Sequence, residues 1–272
     1  MGTYWIRVGS LCLLAVLTGC ITSGGYTAKS GGPQQLDLVR SAMQGALDAM
    51  DRDAAKAAET IAATGLTGPE TRKVLLDLCR AHPYVVDCCT IDAKGVMTSV
   101  EPKTYEKSEG VDISAQEQVA RMLAKHEPVL SAAFVAVEGM PAIDLEWPVL
   151  AADGAFLGSV SMMFKPNHFI APVVQSALTD PAWTCWVMQP NGLILYDQDT
   201  VEINRNIFSN QLYDPFPELR DMAKRIAANP SGAGKYRFLS KNLDLPTNKR
   251  CHWDTVSLHG TEWRVVVTRE IR

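Results

Sequence analysis

From Leu36 to Thr64 apolar side chains recur at the helical period: Leu36, Val39, Met43, Ala46, Leu47, Met50, Ala54, Ala57, Ala58 and Ile61. The stretch holds no proline, its interior Gly45 costs about 1 kcal/mol relative to alanine, and Gly65 is a natural stop. A helix of nearly thirty residues spans ~43 Å, more than one small module needs. Thr67-Gly68-Pro69-Glu70 opens a second helix, with Pro69 in its first turn and Leu75, Leu76 and Leu78 as its apolar face.

The period then drops to that of strands. Residues 84–91 lead to a turn at Asp92-Ala93-Lys94-Gly95, and residues 96–100 return. Ser114-Ala115-Gln116-Glu117 has the capping-box spacing and predicts a short helix through Leu123. Residues 129–137 read as one strand, and residues 142–150 and 156–164 as a hairpin around Asp153-Gly154. A similar order follows: a hairpin over 183–196 with its turn at Pro190-Asn191-Gly192, a polar segment, a helix over 216–228, a strand over 234–239, and a closing hairpin about His259-Gly260. Turn glycines Gly95 and Gly192 lie 97 positions apart, and Gly154 and Gly260 lie 106 apart. That near-constant offset predicts a duplicated module of about a hundred residues, and the whole reads as α+β with antiparallel sheets and flanking helices.

Ahead of the long helix, Val8 to Gly19 is almost uncharged and follows Arg7. Twelve residues rise only ~18 Å as a helix, too short for a bilayer core, so this reads as a signal peptide over residues 1–19. It ends in Leu17-Thr18-Gly19-Cys20, which resembles the lipobox of prokaryotic lipoproteins. The resemblance implies that the chain is cut before Cys20 and that Cys20 carries the lipid. Residues 20–35, rich in glycine and serine, read as the anchored cysteine and a flexible tether. The implied location is a membrane surface facing the periplasm or cell exterior. Of the 272 residues 47% are hydrophobic and 21% charged, which fits an ordinary globular chain. The formal charge of −4, or −5 without Arg7, argues against nucleic acid as a partner.

The long helix, the two consecutive α+β modules and the extracytoplasmic address together resemble the double Cache family of PAS-like sensor domains. Pro148-Val149-Leu150, Asp153-Gly154 and Gly158-Ser159-Val160 are similar to the family's distal hairpin. Asp112 to Glu117 resembles the approach to the pocket helix, and Gln189-Pro190-Asn191-Gly192-Leu193-Ile194-Leu195 the opening hairpin of the proximal module. The resemblance implies a stalk helix over 36–65, a membrane-distal module over 66–178 and a membrane-proximal one over 179–272. It also implies a small ligand held in the distal module. Relatives place an arginine and an aromatic residue on the pocket helix, where this chain has Gln116 and Gln118, and an aspartate at a strand end occupied here by Met162 and Met163. Glutamine does not reproduce a bidentate Arg–carboxylate pair, so a neutral or less polar ligand is expected rather than a free amino acid. Tyr105, Gln116, Gln118 and Asp144 are the expected hydrogen-bonding residues.

Asp144 and Glu146 share one face of their strand and Ile143, Leu145 and Trp147 the other. Asp144 and Glu146 fit a pocket or a solvated face equally well. Cys79, Cys88, Cys89, Cys185 and Cys251 are disulfide candidates in an oxidising exterior: Cys79 with Cys88 or Cys89, and Cys185 with Cys251. A metal site from Cys79, His82, Cys88 and Cys89 has a non-standard spacing, and adjacent Cys88 and Cys89 would point to opposite faces. No catalytic, phosphate-loop or dinucleotide motif occurs, so no catalytic residue, metal or cofactor is expected.

The resulting expectation is not an enzyme but a lipid-anchored extracytoplasmic binding protein without an output domain, working beside a transmembrane signalling or transport partner. A scaffold lipoprotein of the envelope and, more remotely, an envelope hydrolase are the alternatives.

Overall fold

The computed structural model describes residues 1–2, 31–137, 139–240 and 245–271. Cys20, the rest of the signal segment from Thr3 onward and the first part of the tether lie outside the described residues.

Helix α1 runs Gly31–Thr64, so it starts five residues ahead of the point at which the apolar period begins. Its first turn is held by tertiary contacts. Gln35 Oε1 accepts the backbone N–H groups of Thr179 and Asp180, and its Nε2 donates to Thr179 Oγ1. Gly32 lies so close to Trp183 and His252 that a Cβ there would stand 2.4 Å from the indole. A glycine pair that reads as linker is here the condition for close packing.

Helix α2, Pro69–Ala81, precedes the first sheet: β1 Val85–Asp92, β2 Met97–Glu101, a 3-10 turn Lys103–Ser108, α3 Glu117–Lys125, β3 Val129–Leu130, β4 Phe134–Val135, β5 Pro141–Leu150 and β6 Phe156–Phe164. Helix α4, Pro166–Ala177, leads to the second: β7 Thr184–Met188, β8 Ile194–Asp197, 3-10 turns Thr200–Glu202 and Gln211–Tyr213, α5 Pro217–Ala228, β9 Gly232–Leu239, β10 Pro246–Leu258 and β11 Thr261–Ile271. The sheets are ordered β2-β1-β6-β5-β3, with β4 on β5, and β8-β7-β11-β10-β9. Neighbouring strands are antiparallel throughout. Leaving out β4, the two orders superimpose strand for strand, and Gly95, Gly154, Gly192 and Gly260 all take positive φ at their turns. The architecture is thus α+β: a long N-terminal helix and two antiparallel modules of one topology.

Three elements differ from the sequence expectation. Helix α3 has Gln116 as its N-cap, because the Ser114 N–H is already taken by Asp112 Oδ1 at 2.9 Å. The strand expected over 129–137 is split at Ser131, whose N–H donates to Asp144 O while Ala133 N–H turns to Gln189 Oε1. Helix α4 was hidden by Pro166 and Pro172; Pro166 occupies a first-turn position where its missing N–H costs nothing.

One core runs through the whole molecule. Val39, Met43, Leu47, Met50, Ala54 and Ile61 of α1 pack on Ile143, Leu145, Val160 and Phe164 of the first sheet and on Val187, Trp263, Val265 and Val267 of the second. Each sheet thereby gives one face to α1 and turns the other away from it.

Candidate functional site

The outward face of the first sheet is polar and buried. Strand period puts Asp144 and Glu146 of β5 beside Ser159 and Ser161 of β6, and all four are less than 5% exposed. The strand is therefore not lying with these carboxylates in solvent. Ser161 Oγ donates to Asp144 Oδ1 at 2.6 Å, Ser159 Oγ to Glu146 Oε1 at 2.6 Å, and the Asp144 N–H to Ser131 Oγ at 2.9 Å. Burial, and the nearby Asp144 carboxylate, push the Glu146 carboxyl up to about 8. Its second oxygen, Oε2, has no hydrogen-bond partner among the described residues.

A cavity of about 30 Å³ opens over this face, bounded among others by Asp87, Cys89, Gln116, Phe134, Asp144 and Ser161. That is room for about two waters at most. Gln116 and Asp144 are thus brought together as the sequence anticipates. Gln118 does not line the cavity: it is buried behind Gln116 and donates to Gln116 Oε1 at 2.8 Å, fixing that amide. Tyr105 packs on the apolar cluster of Ile91, Val100 and Val119 and does not line the cavity either. Its segment is tied down by Arg72 of α2, which reaches Glu101 Oε1 at 3.1 Å and Glu109 Oε1 at 2.6 Å. These partners hold the Arg72 guanidinium above its ordinary pKa. Asp87 and Ser161 were missed by sequence reasoning. The period-2 run Asp87, Cys89, Ile91 and the pair Ser159, Ser161 carried that signal, since they share the face of Asp144.

Among the described residues, Cys79, Cys88, Cys89, Cys185 and Cys251 are free thiols. Cys185 of β7 and Cys251 of β10 are separated by β11 and lie in different apolar clusters, so the bridge expected between them is excluded. Cys88 faces α1 and Cys89 the distal cavity, which also takes apart the metal set with Cys79 and His82. Cys79 lies against Cys88 as a thiol hydrogen-bond partner, while its Sγ reaches Glu101 O at 3.4 Å. Burial raises the Cys88 and Cys89 thiols well above their ordinary values, which keeps both unreactive.

Residues 45–166 match the model of the HK/GC/chemotaxis protein-like sensor domain. An extracellular ligand-binding receptor from Desulfohalobium retbaense is 32% identical, with a TM-score of 0.74 over 89% of this chain, and this chain spans 41% of that receptor. The ligand-binding domain of the Pseudomonas aeruginosa chemoreceptor PctB in complex with L-Gln gives a TM-score of 0.61 at 13% identity, covering 88% of this chain and 89% of that one. That of the Pseudomonas fluorescens chemoreceptor CtaA in complex with L-serine gives 0.62 at 13%, covering 88% and 95%. No curated protein matches the chain. No helix among the described residues is long and apolar enough to cross a membrane. With two modules of one topology on one long helix, and a family match that runs from within α1 to the start of α4, the chain has the double Cache-like fold and is similar to extracellular ligand-binding sensor domains.

Proposed function

We propose that this chain is the ligand-binding component of an extracytoplasmic sensor, anchored by a lipid on Cys20 and working with a membrane-embedded signalling or transport partner. Its ligand is a small neutral molecule rich in N–H or O–H donors, bound in the distal module between Gln116 and Asp144. The observation that carries this reading is the buried polar face itself. Carboxylates and serine hydroxyls withdrawn from water are costly unless something uses them, and here they converge on a cavity. PctB and CtaA were solved with amino acids bound. Among the described residues the lining offers the acceptors Asp87, Asp144 and Gln116 but no arginine, lysine or histidine to hold a carboxylate.

Thermal-shift measurement with small amides, amines, organic acids and free L-amino acids tests the reading. An amide is expected to raise the Tm, with the shift lost in Asp144→Asn. A shift with free amino acids and none with amides would overturn the ligand class. The small cavity volume favours a second reading, an envelope scaffold, and absence of any shift would establish that instead. For the anchor, Cys20→Ser should move the protein from the membrane to the soluble fraction; unchanged membrane attachment would refute lipidation.

A further inference from the structure

The second sheet carries a larger cavity, of about 230 Å³. It lies on the face turned away from α1, beside α5. In the repeated topology β7 and β8 stand for β1 and β2, and α5 for α3, so this is the distal cavity's counterpart in the other module. About half of its lining is apolar, with Trp186, Tyr213, Leu219 and Phe238 prominent, and the other half is polar.

Among the described residues three carboxylates line this space, Asp197, Asp199 and Glu202, against one ammonium, Lys249. None of the three forms an ion pair with lysine, arginine or histidine among the described residues. The Lys249 ammonium instead lies over the Phe238 ring, 5.6 Å from its centroid. Asp197 Oδ1 accepts the Asp199 N–H at 2.8 Å. Glu202, in the 3-10 turn Thr200–Glu202, is only 2% exposed. The Tyr213 hydroxyl donates to its Oε2, and its Oε1 is buried with no partner among the described residues. A buried carboxylate oxygen without a donor is costly, and the cost is removed by a ligand that brings one.

The chemistry of the lining selects among ligands. An anion would meet a surplus of negative charge. A hard metal ion needs six or more oxygens, whereas one Glu202 oxygen is committed to Tyr213 and half of the lining is apolar. An ammonium on an apolar arm satisfies both parts, since its N–H groups meet the carboxylates and aromatic faces attract cations. Burial already pushes the Asp197 carboxyl up to about 8 and raises Glu202, a strain that a bound cation relieves.

We propose that the proximal cavity is a second ligand site, for a small organic ammonium with an apolar arm. The ammonium donates to Glu202 Oε1 and to Asp197, and the arm lies among Trp186, Tyr213 and Phe238. This site stands apart from the distal one and does not depend on it.

Isothermal titration of the full chain with phenethylamine, and with its analogues 2-phenylethanol and phenylacetate, tests the assignment. Phenethylamine should bind at one site, at least about tenfold more tightly than the alcohol, with no detectable binding of the acid. Glu202→Gln should weaken phenethylamine about tenfold or more. Asp197→Asn supplies the same comparison should the first variant fail a near-UV circular dichroism check of folding. Absence of binding, equal affinity for amine and alcohol, or an unchanged Kd in the folded variants would each overturn the proposal, the last by placing the amine elsewhere in the chain.

Discussion

Glu146 is wholly buried beside Asp144, with a serine hydroxyl on one oxygen and nothing on the other. Its carboxyl titrates near 8 in the folded chain against an ordinary value of 4.5. Between those values the folded state holds a proton that the unfolded chain has released, so stability falls as pH rises through the window and the loss is complete above about 8. Glu146→Gln is neutral at every pH and keeps the shape, and the Ser159 hydroxyl can accept from the amide as readily as it donates to the carboxylate. The variant should therefore melt a few degrees higher than the parent at pH 8.5, for a gain of roughly 1–2 kcal/mol. At pH 4 the two should melt together. Melting curves at both pH values decide it, and a gain of equal size at pH 4 would mean that packing rather than ionisation is responsible.

At the scale of elements, the strongly periodic segments were legible and the tertiary-determined ones were not. Helix α1 announces itself through ten apolar positions that face both sheets, and nine of them are buried. Its first turn could not be read, because Gly31-Gly32-Pro33 has low intrinsic helicity and is held only by Trp183, His252 and the Gln35 bonds to residues 179 and 180. Helix α4 failed for a related reason. Pro172 reads as a breaker, yet Phe169, Ile170 and Val174 bury a face against the common core. The duplicated topology was legible from the recurring order of elements and the near-constant offset of the turn glycines, since each turn takes a positive φ that glycine supplies without strain. Two of the four residues expected to bind a ligand, Gln116 and Asp144, line the distal cavity. Strand parity put Asp144 and Glu146 on one face without deciding between pocket and solvent, and Gln116 came from the family resemblance, while Gln118 and Tyr105 face elsewhere for reasons of helix phase and loop packing that no local pattern contains. The proximal cavity left no motif, because Asp197, Glu202, Tyr213 and Lys249 come from four separate elements or loops.

At the scale of the molecule, α1 makes the two modules one cooperative body. Asp51, near the middle of the helix, joins them directly: its Oδ1 accepts Trp147 Nε1 of the first sheet at 2.7 Å and lies 2.5 Å from His259 Nε2 in the closing turn of the second. Gln44 adds a two-way contact with the Ser257 backbone at 3.0 and 3.1 Å, and Thr261 Oγ1 donates to Leu130 O at 2.6 Å. Asp51→Ala removes one acceptor and strands two donors, at a cost of about 1–3 kcal/mol for each that stays buried. The Tm should drop by several degrees. The transition should nevertheless remain single, because Met43, Leu47 and Met50 still bind both sheets into one apolar cluster. Hydrogen exchange can follow amides of β5 and β11 separately while tryptophan fluorescence reports the global loss. Coincident unfolding of both strands in the variant is the expected result. Two resolved transitions would show that the polar junction at Asp51, rather than the shared core, couples the modules. Such coupling is what would let a shift in either sheet reach the other through the helix, the element packed on the inner faces of both.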